Sequence, residues 1–263
     1  KLYIMFDYII NKYNINPQLT LFKKVRYKDK YSIAIPYMKC PYININCEWE
    51  NYKQKKKRKF WYNIRRSEKL LNESIGPVSF VYTKDIDKII EILPKIFDLH
   101  RKRWSNQYTS STFSTPEGQK HYTNAALSLV KTGEFELSYL LSNNRIVSYG
   151  YSIIKNHVYH FYSHCSDPDP NLRTYSIGKL YISKLLESVF QRKFNEFDFM
   201  VGGEPYKFEW TNTDRRCYRV VSVEKKVWNL PILFIKYLYC KIKIYSQNNK
   251  ILKNIIKSIL NKI

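Results

Sequence analysis

The segment from Phe197 to Trp210 holds the densest set of reactive side chains in the chain. A short apolar run, Phe-Asp-Phe-Met-Val, is followed at once by Gly-Gly-Glu-Pro-Tyr-Lys-Phe-Glu-Trp. Glu204 can take a proton from an amine or hydroxyl, Tyr206 can return one, and Lys207 can hold an anion. The same residues can instead form a structural polar corner in which Glu204 pairs with Lys207 or Arg215. The sequence leaves both interpretations open.

A second candidate site lies upstream, where a loop leads into a helix. The loop reads Arg-Thr-Tyr-Ser-Ile-Gly-Lys, and the residues after it are apolar at helical spacing. The first N–H groups of a helix have no intrahelical partner and therefore attract anions, to which Arg173 and Lys179 add charge. Gly178 allows close approach to the backbone. These features predict a phosphate cradle made of Arg173, Tyr175, Ser176, Ile177, Gly178 and Lys179.

A third group ends a helix that is predicted from Asp85 to Ser105, with Asp85 as its N-cap. Pro94 lies inside this helix, and we expect it to kink or divide the helix. His100, Arg103 and Trp104 follow near its end. His100 is either a half-buried structural histidine or a functional one.

The elements around these groups predict an α/β fold. Helices are expected over 49–71, 85–105 and 117–131, followed by a three-strand antiparallel meander with asparagine turns. The last strand of the meander, which begins at His157, leads to a helix over 179–194 and a strand over 197–201. His157 and His160 would face opposite sides of a strand, which argues against a metal site there.

In this order of elements, the chain resembles the GNAT-superfamily acetyltransferases linked to cellulose and other exopolysaccharide biosynthesis. The resemblance runs from about Lys55 to Val223 and rests on four motifs. They are Leu-His-Arg-Lys-Arg-Trp ending at Trp104, the Ser-x-Gly loop, the Asp-Phe strand, and Gly-x-Glu-Pro-Tyr-Lys-x-x-Trp ending at Trp210.

The resemblance implies a mixed, mostly antiparallel GNAT-like sheet flanked by helices. It implies transfer of an acetyl or similar acyl group from acetyl-CoA or another acyl-CoA, without a metal, to an amine or hydroxyl of a saccharide or cell-envelope precursor. From the chemistry of their side chains, Glu204 is the candidate base for this reaction, Tyr206 the candidate proton donor to the leaving thiolate, and Lys207 the candidate group to hold the oxyanion or a phosphate. Further candidates are His100 in catalysis and, in substrate binding, Arg103, Trp104, Asp198 and Trp210.

The phosphate loop departs from the usual superfamily pattern, Arg/Gln-x-x-Gly-x-Gly/Ala, because it has a single glycine. This departure and the net charge of +23 favour an alternative, a transferase that uses aminoacyl-tRNA as the related peptidoglycan-bridge enzymes do. A second alternative is a non-catalytic basic scaffold that binds membrane or nucleic acid. The abundance of Lys, Ile, Asn and Tyr together also indicates AT-rich coding as a source of the charge.

Composition divides the chain into three predicted parts: residues 1–48, a partial N-terminal GNAT-like subdomain; residues 49–226, the acyltransferase domain; and residues 227–263, a basic amphipathic helical tail. The tail has seven lysines after Trp228 and no acidic residue, so it can pack on the protein, pair with another chain, or lie on an anionic membrane. Five cysteines without a Cys-x-x-Cys pair favour free thiols in a reducing compartment. We therefore expect a cytoplasmic protein with peripheral contact to the inner face of the membrane.

Overall fold

The computed structural model describes residues 30–105, 113 and 115–248. The sequence also predicts a helix over 2–10 and strands over 19–22 and 25–27, and these lie outside the described residues. The chain divides into two compact units, Tyr42–Met200 and a second unit of Lys1–Pro41 with Val201–Ile263. Each unit is described by itself.

The unit Tyr42–Met200 is built on a sheet whose strands lie in the order β2, β3, β4, β5, β6 and the end of β1. The strands are β1 (Lys30–Asn44), β2 (Ser79–Thr83), β3 (Phe135–Ser142), β4 (Arg145–Lys155), β5 (Val158–Ser166) and β6 (Glu196–Asp198). All neighbours are antiparallel except β5 and β6. The fold-class prediction of a mixed, mostly antiparallel sheet flanked by helices is confirmed.

The predicted meander is β3, β4 and β5, joined by two tight turns. Asn143 and Asn144 have φ values of 45° and 62°, and Asn156 and His157 have 50° and 58°. Two successive residues with positive φ are typical of the two-residue hairpin turn that matches strand twist, and asparagine tolerates this conformation. Since His157 lies in the turn, it is not part of the strand that was predicted to begin with it.

The parallel pairing of β5 with β6 is short. It joins Val158–His160 to Glu196–Asp198, whereas β5 continues to Ser166 along β4. In the described part of the chain, the second half of β5 therefore has a strand neighbour on one side only. An edge of this kind offers backbone groups to a ligand.

Helices cover both faces of this sheet: α1 (Trp49–Gln54), α2 (Arg58–Ile75), α3 (Ile86–Trp104), α4 (Pro116–Lys131) and α5 (Ile177–Gln191). On one face, Leu93 and Phe97 of α3 pack with Leu137 and Tyr149 of the sheet. On the other, Tyr181 of α5 reaches the sheet, where its hydroxyl lies 2.6 Å from Ser138 Oγ. Since side chains alternate along a strand, neighbouring sheet residues serve opposite helical layers.

Two details of the helices differ from expectation. The single helix predicted over 49–71 is two helices, and Trp61 Nε1 donates to the Lys53 carbonyl at the end of α1 (2.8 Å), which satisfies a terminal acceptor. Pro94 does not divide α3, which is one helix of 19 residues. The predicted N-cap is confirmed, because Asp85 Oδ1 accepts from the Lys88 N–H (2.9 Å).

In the second unit, the first part of β1 pairs antiparallel with β7 (Asp214–Glu224). β1 is longer than the strand over 32–35 that the sequence predicts, and a bulge between Pro36 and Lys39 absorbs the irregularity. The short helix α6 (Pro205–Phe208) precedes β7, and α7 (Leu230–Asn248) follows it. Among the described residues, the helices lack the combination of length and apolar character needed to cross a bilayer.

Candidate active site

The end of β5 meets the start of α5 in a buried polar cluster. Ser148 Oγ lies 3.3 Å from His164 Nε2 and 3.0 Å from Ser166 Oγ. A Cβ added at Gly178 would lie 3.2 Å from Ser166 Oγ and 3.4 Å from His164 Cε1. The glycine predicted to admit a ligand thus also permits the first turn of α5 to pack against β5.

The end of α3 contributes a second part of this region. His100 Nδ1 lies 2.6 Å from the Tyr149 hydroxyl, and its ring stacks on Trp104 and meets the edge of Phe113. Burial lowers the pKa of His100 to about 4, and burial raises the pKa of Tyr149 well above its ordinary value. Both groups are therefore uncharged at neutral pH. Trp104 Nε1 is buried and has no hydrogen-bond partner within the described residues.

His164 is also uncharged. Burial, followed by the nearby charges of Arg103 and His100, lowers the pKa of His164 to about 4. Burial raises the pKa of the neighbouring Cys165 thiol to about 12, so this thiol stays protonated and is a poor nucleophile. The cluster favours direct transfer between two bound substrates over an acyl-cysteine intermediate.

A large cleft of about 1050 Å³ opens between the end of α3, the β3–β4 turn and the loop after β5. Arg103 and Arg173, predicted for different roles, both line it. Arg145 joins the walls by pairing with Asp167 Oδ2 (2.6 Å) and Asp169 Oδ2 (3.0 Å). The ionisable lining is Lys95, Asp98, Lys102, Arg103, Arg145, Asp167, Asp169 and Arg173, so basic side chains exceed carboxylates.

A smaller cleft of about 360 Å³ lies between α2 and the start of α5. Its polar lining is Asn63, Arg66, Ser67, Thr174, Ser176 and Lys179. Ser176 is in the left-handed conformation (φ 46°, ψ 43°), and its side chain does not cap α5. The Lys179 N–H donates to the Ser176 carbonyl (2.9 Å), so the N–H groups that can meet another acceptor here are those of Ile177 and Gly178, beside a cationic wall.

The residues from Gly202 to Trp210 form a separate group in the second unit. Lys207 Nζ pairs with Glu204 Oε2 (2.8 Å) and donates to the Val201 carbonyl (3.1 Å). Lys207 is buried, whereas the Glu204 side chain is 53% exposed. Partial burial, and then the charge of Glu204, raises the pKa of Tyr206 above its usual range, so its hydroxyl keeps its proton. The pairing of Glu204 with Lys207, one of the two interpretations above, is present.

The backbone conformation at position 202, where this segment begins, requires a glycine. Its φ of +133° is rarely adopted by other residues, and a Cβ there would overlap the Glu204 carboxylate. At Gly203 a Cβ would meet nothing within 4 Å. The first glycine therefore fixes where the carboxylate lies, and the second does not.

The two remaining candidates, Asp198 and Trp210, are interior residues. Asp198 Oδ1 accepts from the Met200 N–H (2.8 Å), which supports the turn after β6. Their contact with substrate stays a prediction, as do the roles of the other site residues.

The structure brings the end of α3 and the start of α5 together, and it shows residues that sequence reasoning missed. These are Ser148, His164 and Ser166 in the cluster, Arg66 in the smaller cleft and Arg145 in the larger one. One signal was available: His164 and Ser166 are two apart at the end of a strand, so both side chains point to one face.

Comparison with known sequences decides the family. Residues 56–208, more than half of the chain, match the family described as acetyltransferase (GNAT) domain. The chain belongs to this family. The GNAT domain thus includes all of α2, the sheet from β2 to β6, and α6, and it is a transferase domain of the GNAT acyltransferase type. The predicted GNAT membership is confirmed, whereas the narrower exopolysaccharide-linked assignment stays a prediction. Among curated proteins, none matches the chain.

Solved structures of low sequence identity share the fold. FemX aligns at 8% identity over 76% of this chain and 64% of its own, with a TM-score of 0.54. L-PGS from Bacillus licheniformis aligns at 11% over 85% and 71%, with 0.51. The C-terminal domain of a putative lysylphosphatidylglycerol synthetase from Agrobacterium fabrum aligns at 7% over 79% and 65%, with 0.50. This chain thus spans just under two thirds of two of these structures.

Proposed function

We propose that this GNAT domain transfers an acyl group, with acetyl as the first candidate, from acyl-CoA to an amine or hydroxyl of a saccharide or cell-envelope precursor in the cytoplasm. The observation that carries the proposal is the start of α5, where a helix N-terminus without a side-chain cap adjoins a cleft with Arg66 and Lys179 on its walls. This combination of dipole and cations suits a pyrophosphate.

The reaction needs few groups from the protein. The acceptor nitrogen or oxygen attacks the thioester carbonyl, a C–N or C–O bond forms, and the C–S bond breaks. The acceptor proton goes to a base, for which Glu204 is the first candidate and His100 the second. The leaving thiolate takes a proton from a donor, for which Tyr206, protonated at neutral pH, is the candidate.

The ion pair with Lys207 bears on the role of Glu204. Lys207 Nζ occupies one oxygen of the carboxylate, Oε2, at 2.8 Å. The exposed part of Glu204 still leaves a carboxylate surface that an acceptor or a water molecule can reach. Lys207 would have to leave this pair before it could hold an oxyanion or a phosphate.

A second candidate function uses aminoacyl-tRNA as the donor. The larger cleft favours it, because its basic side chains outnumber its carboxylates and its volume of about 1050 Å³ exceeds that of the cleft beside α2. One solved structure of similar fold carries the name lysylphosphatidylglycerol synthetase. Under this proposal, Arg103 and Arg173 contact the phosphates of the nucleic acid.

Calorimetric titration of acetyl-CoA, at moderate and high salt, distinguishes the two donors. Arg66→Glu should weaken binding about ten-fold or more, since a charge-assisted hydrogen bond is worth about 1.5–3 kcal/mol. Arg65→Glu is the matched control, because Arg65 is on the same helix and outside the cleft. Gly178→Glu is a poorer test, since its side chain would meet His164 and Ser166.

Saturable binding that survives salt and weakens in Arg66→Glu alone supports acyl-CoA as donor. Binding that is absent, or that falls equally in both variants, contradicts the assignment of the smaller cleft. The next titration would then use aminoacyl-tRNA with Arg173→Glu, which alters the larger cleft.

A further inference from the structure

Helix α7 is apolar on two sides: one side packs on the protein, and the other is exposed among the residues that the structure describes. Leu233 and Cys240 are buried on the side toward β7. The exposed large apolar residues of the helix are Leu230, Ile232, Phe234, Ile235, Leu238, Tyr239 and Ile242. At about 100° per residue, they occupy about 200° of the circumference, opposite the packed side. We call these seven residues the outer face of α7.

The outer face is too large to count as scattered surface residues. The side chains of Phe234, Ile235 and Tyr239 are 58, 64 and 62% exposed, and Trp228 just before the helix is 72% exposed. Single exposed apolar residues are ordinary in soluble proteins, but a contiguous group marks an interaction surface. The outer face therefore has the character of an interaction surface.

The charges around the outer face indicate what kind of surface it binds. Lys236 and Lys241 are exposed near its two edges, and Lys225 and Lys226 are exposed before it. The sequence after Glu224 contains no acidic residue. A second copy of the chain would bring lysines against lysines, whereas an anionic surface with an apolar interior complements both the charges and the apolar residues.

We propose that the outer face of α7 binds an anionic lipid bilayer, with the helix lying in the plane of the interface. Phe234 and Ile235 enter the acyl region, and the flanking lysines contact lipid phosphates. Trp228 and Tyr239 suit the headgroup level, because each has an apolar ring and a polar group. The proposal is independent of the donor assignment, since it uses no residue of either cleft.

Vesicle flotation with the full chain tests this proposal. The chain should bind vesicles of phosphatidylcholine and phosphatidylglycerol in equal parts, and bind vesicles of phosphatidylcholine alone far more weakly. The double variant Phe234→Ser, Ile235→Ser should weaken binding about ten-fold or more, because two inserted side chains are lost. Lys236→Gln with Lys241→Gln should weaken it about five-fold for each lysine.

Ile90→Ser is the matched control. Ile90 is an exposed isoleucine on α3 of the other unit, so its loss should leave vesicle binding unchanged. Trp228 fluorescence, isolated by subtracting the Trp228→Phe variant, should shift to shorter wavelength on binding. Phe234, Ile235 and Ile90 are all exposed. The double serine variant and Ile90→Ser should therefore keep the thermal unfolding and the acetyl-CoA binding of the wild type.

Two results would overturn the proposal. In the first, the double serine variant floats with anionic vesicles as well as the wild type does, which would make the attraction purely electrostatic. In the second, light scattering shows a wild-type dimer that the same variant converts to a monomer, which would make the outer face a contact between copies. Failure of acetyl-CoA binding has no bearing on either result.

Discussion

The polar side chains in the two groups of candidate catalytic residues are stabilised by different kinds of contact. In the unit Tyr42–Met200, His100 and His164 are half-buried, uncharged and hydrogen-bonded to hydroxyls. In the second unit, Glu204 and Lys207 are joined as an ion pair with its carboxylate half exposed. A half-buried neutral network resists proton transfer at neutral pH, whereas an exposed carboxylate can exchange protons with substrate. The comparison favours Glu204 over His100 as base.

The largest expected effect tests this preference. Glu204→Gln keeps the shape of the side chain and removes its basicity, so acyl-CoA turnover should fall about 10²–10⁴-fold. Thiol release from acetyl-CoA in the presence of an acceptor mixture measures it. Glu209→Gln is the control, because Glu209 is exposed near the same short helix and loses the same charge.

The opposite pattern would reverse the comparison. If Glu204→Gln retains turnover and His100→Gln loses it, the base belongs to the neutral network and the corner around Glu204 is structural.

The second effect concerns pH and stability. The pKa of His164 is lowered by burial from 6.5 to about 4, so between these values the unfolded chain binds a proton that the folded chain does not. The free energy of unfolding should therefore fall as the pH drops from 6.5 toward 4. One pKa unit corresponds to about 1.4 kcal/mol, so His164 should account for a loss of about 3 kcal/mol. Urea unfolding at several pH values measures it.

His164→Gln should reduce this dependence by about half, because glutamine does not titrate in that range whereas His100, whose pKa is also about 4, still does. Exposed His121 on α4 supplies the control, and His121→Gln should leave the slope unchanged. An unchanged slope in His164→Gln would show that this histidine is solvated rather than buried.

The same contrast explains what the sequence could predict. Helix periodicity, the asparagine turns and the Asp85 cap depend on neighbouring residues, and the structure confirms them. The cluster of Ser148, His164 and Ser166 depends on cross-strand pairing, which no local pattern reveals. The sequence of the loop around Gly178 predicts a backbone site for an anion. It does not predict that the loop packs against β5, because that contact depends on which strand lies beneath the loop.

The corner around Glu204 shows the converse. Glu204 and Lys207 are three residues apart, so spacing alone was enough to suggest the ion pair between them. Spacing alone did not predict that β1 is continuous or that α3 is uninterrupted. Pro36 and Pro94 each disfavour continuation of the element locally, and tertiary packing overrode this preference.

The smallest expected effect separates the two glycines that precede Glu204. Gly202→Ala should destabilise the protein by about 1–3 kcal/mol, because a positive φ is strained for alanine and its methyl group would displace the carboxylate. Gly203→Ala meets open space and should change stability little. Thermal unfolding of both variants measures the difference. If Gly202→Ala also lowers acyl-CoA turnover while Gly203→Ala does not, the position of the carboxylate matters to the reaction as well as to the fold. Equal behaviour of the two variants would mean that Glu204 is not held where the ion pair places it, and the contrast with the half-buried histidines would then rest on exposure alone.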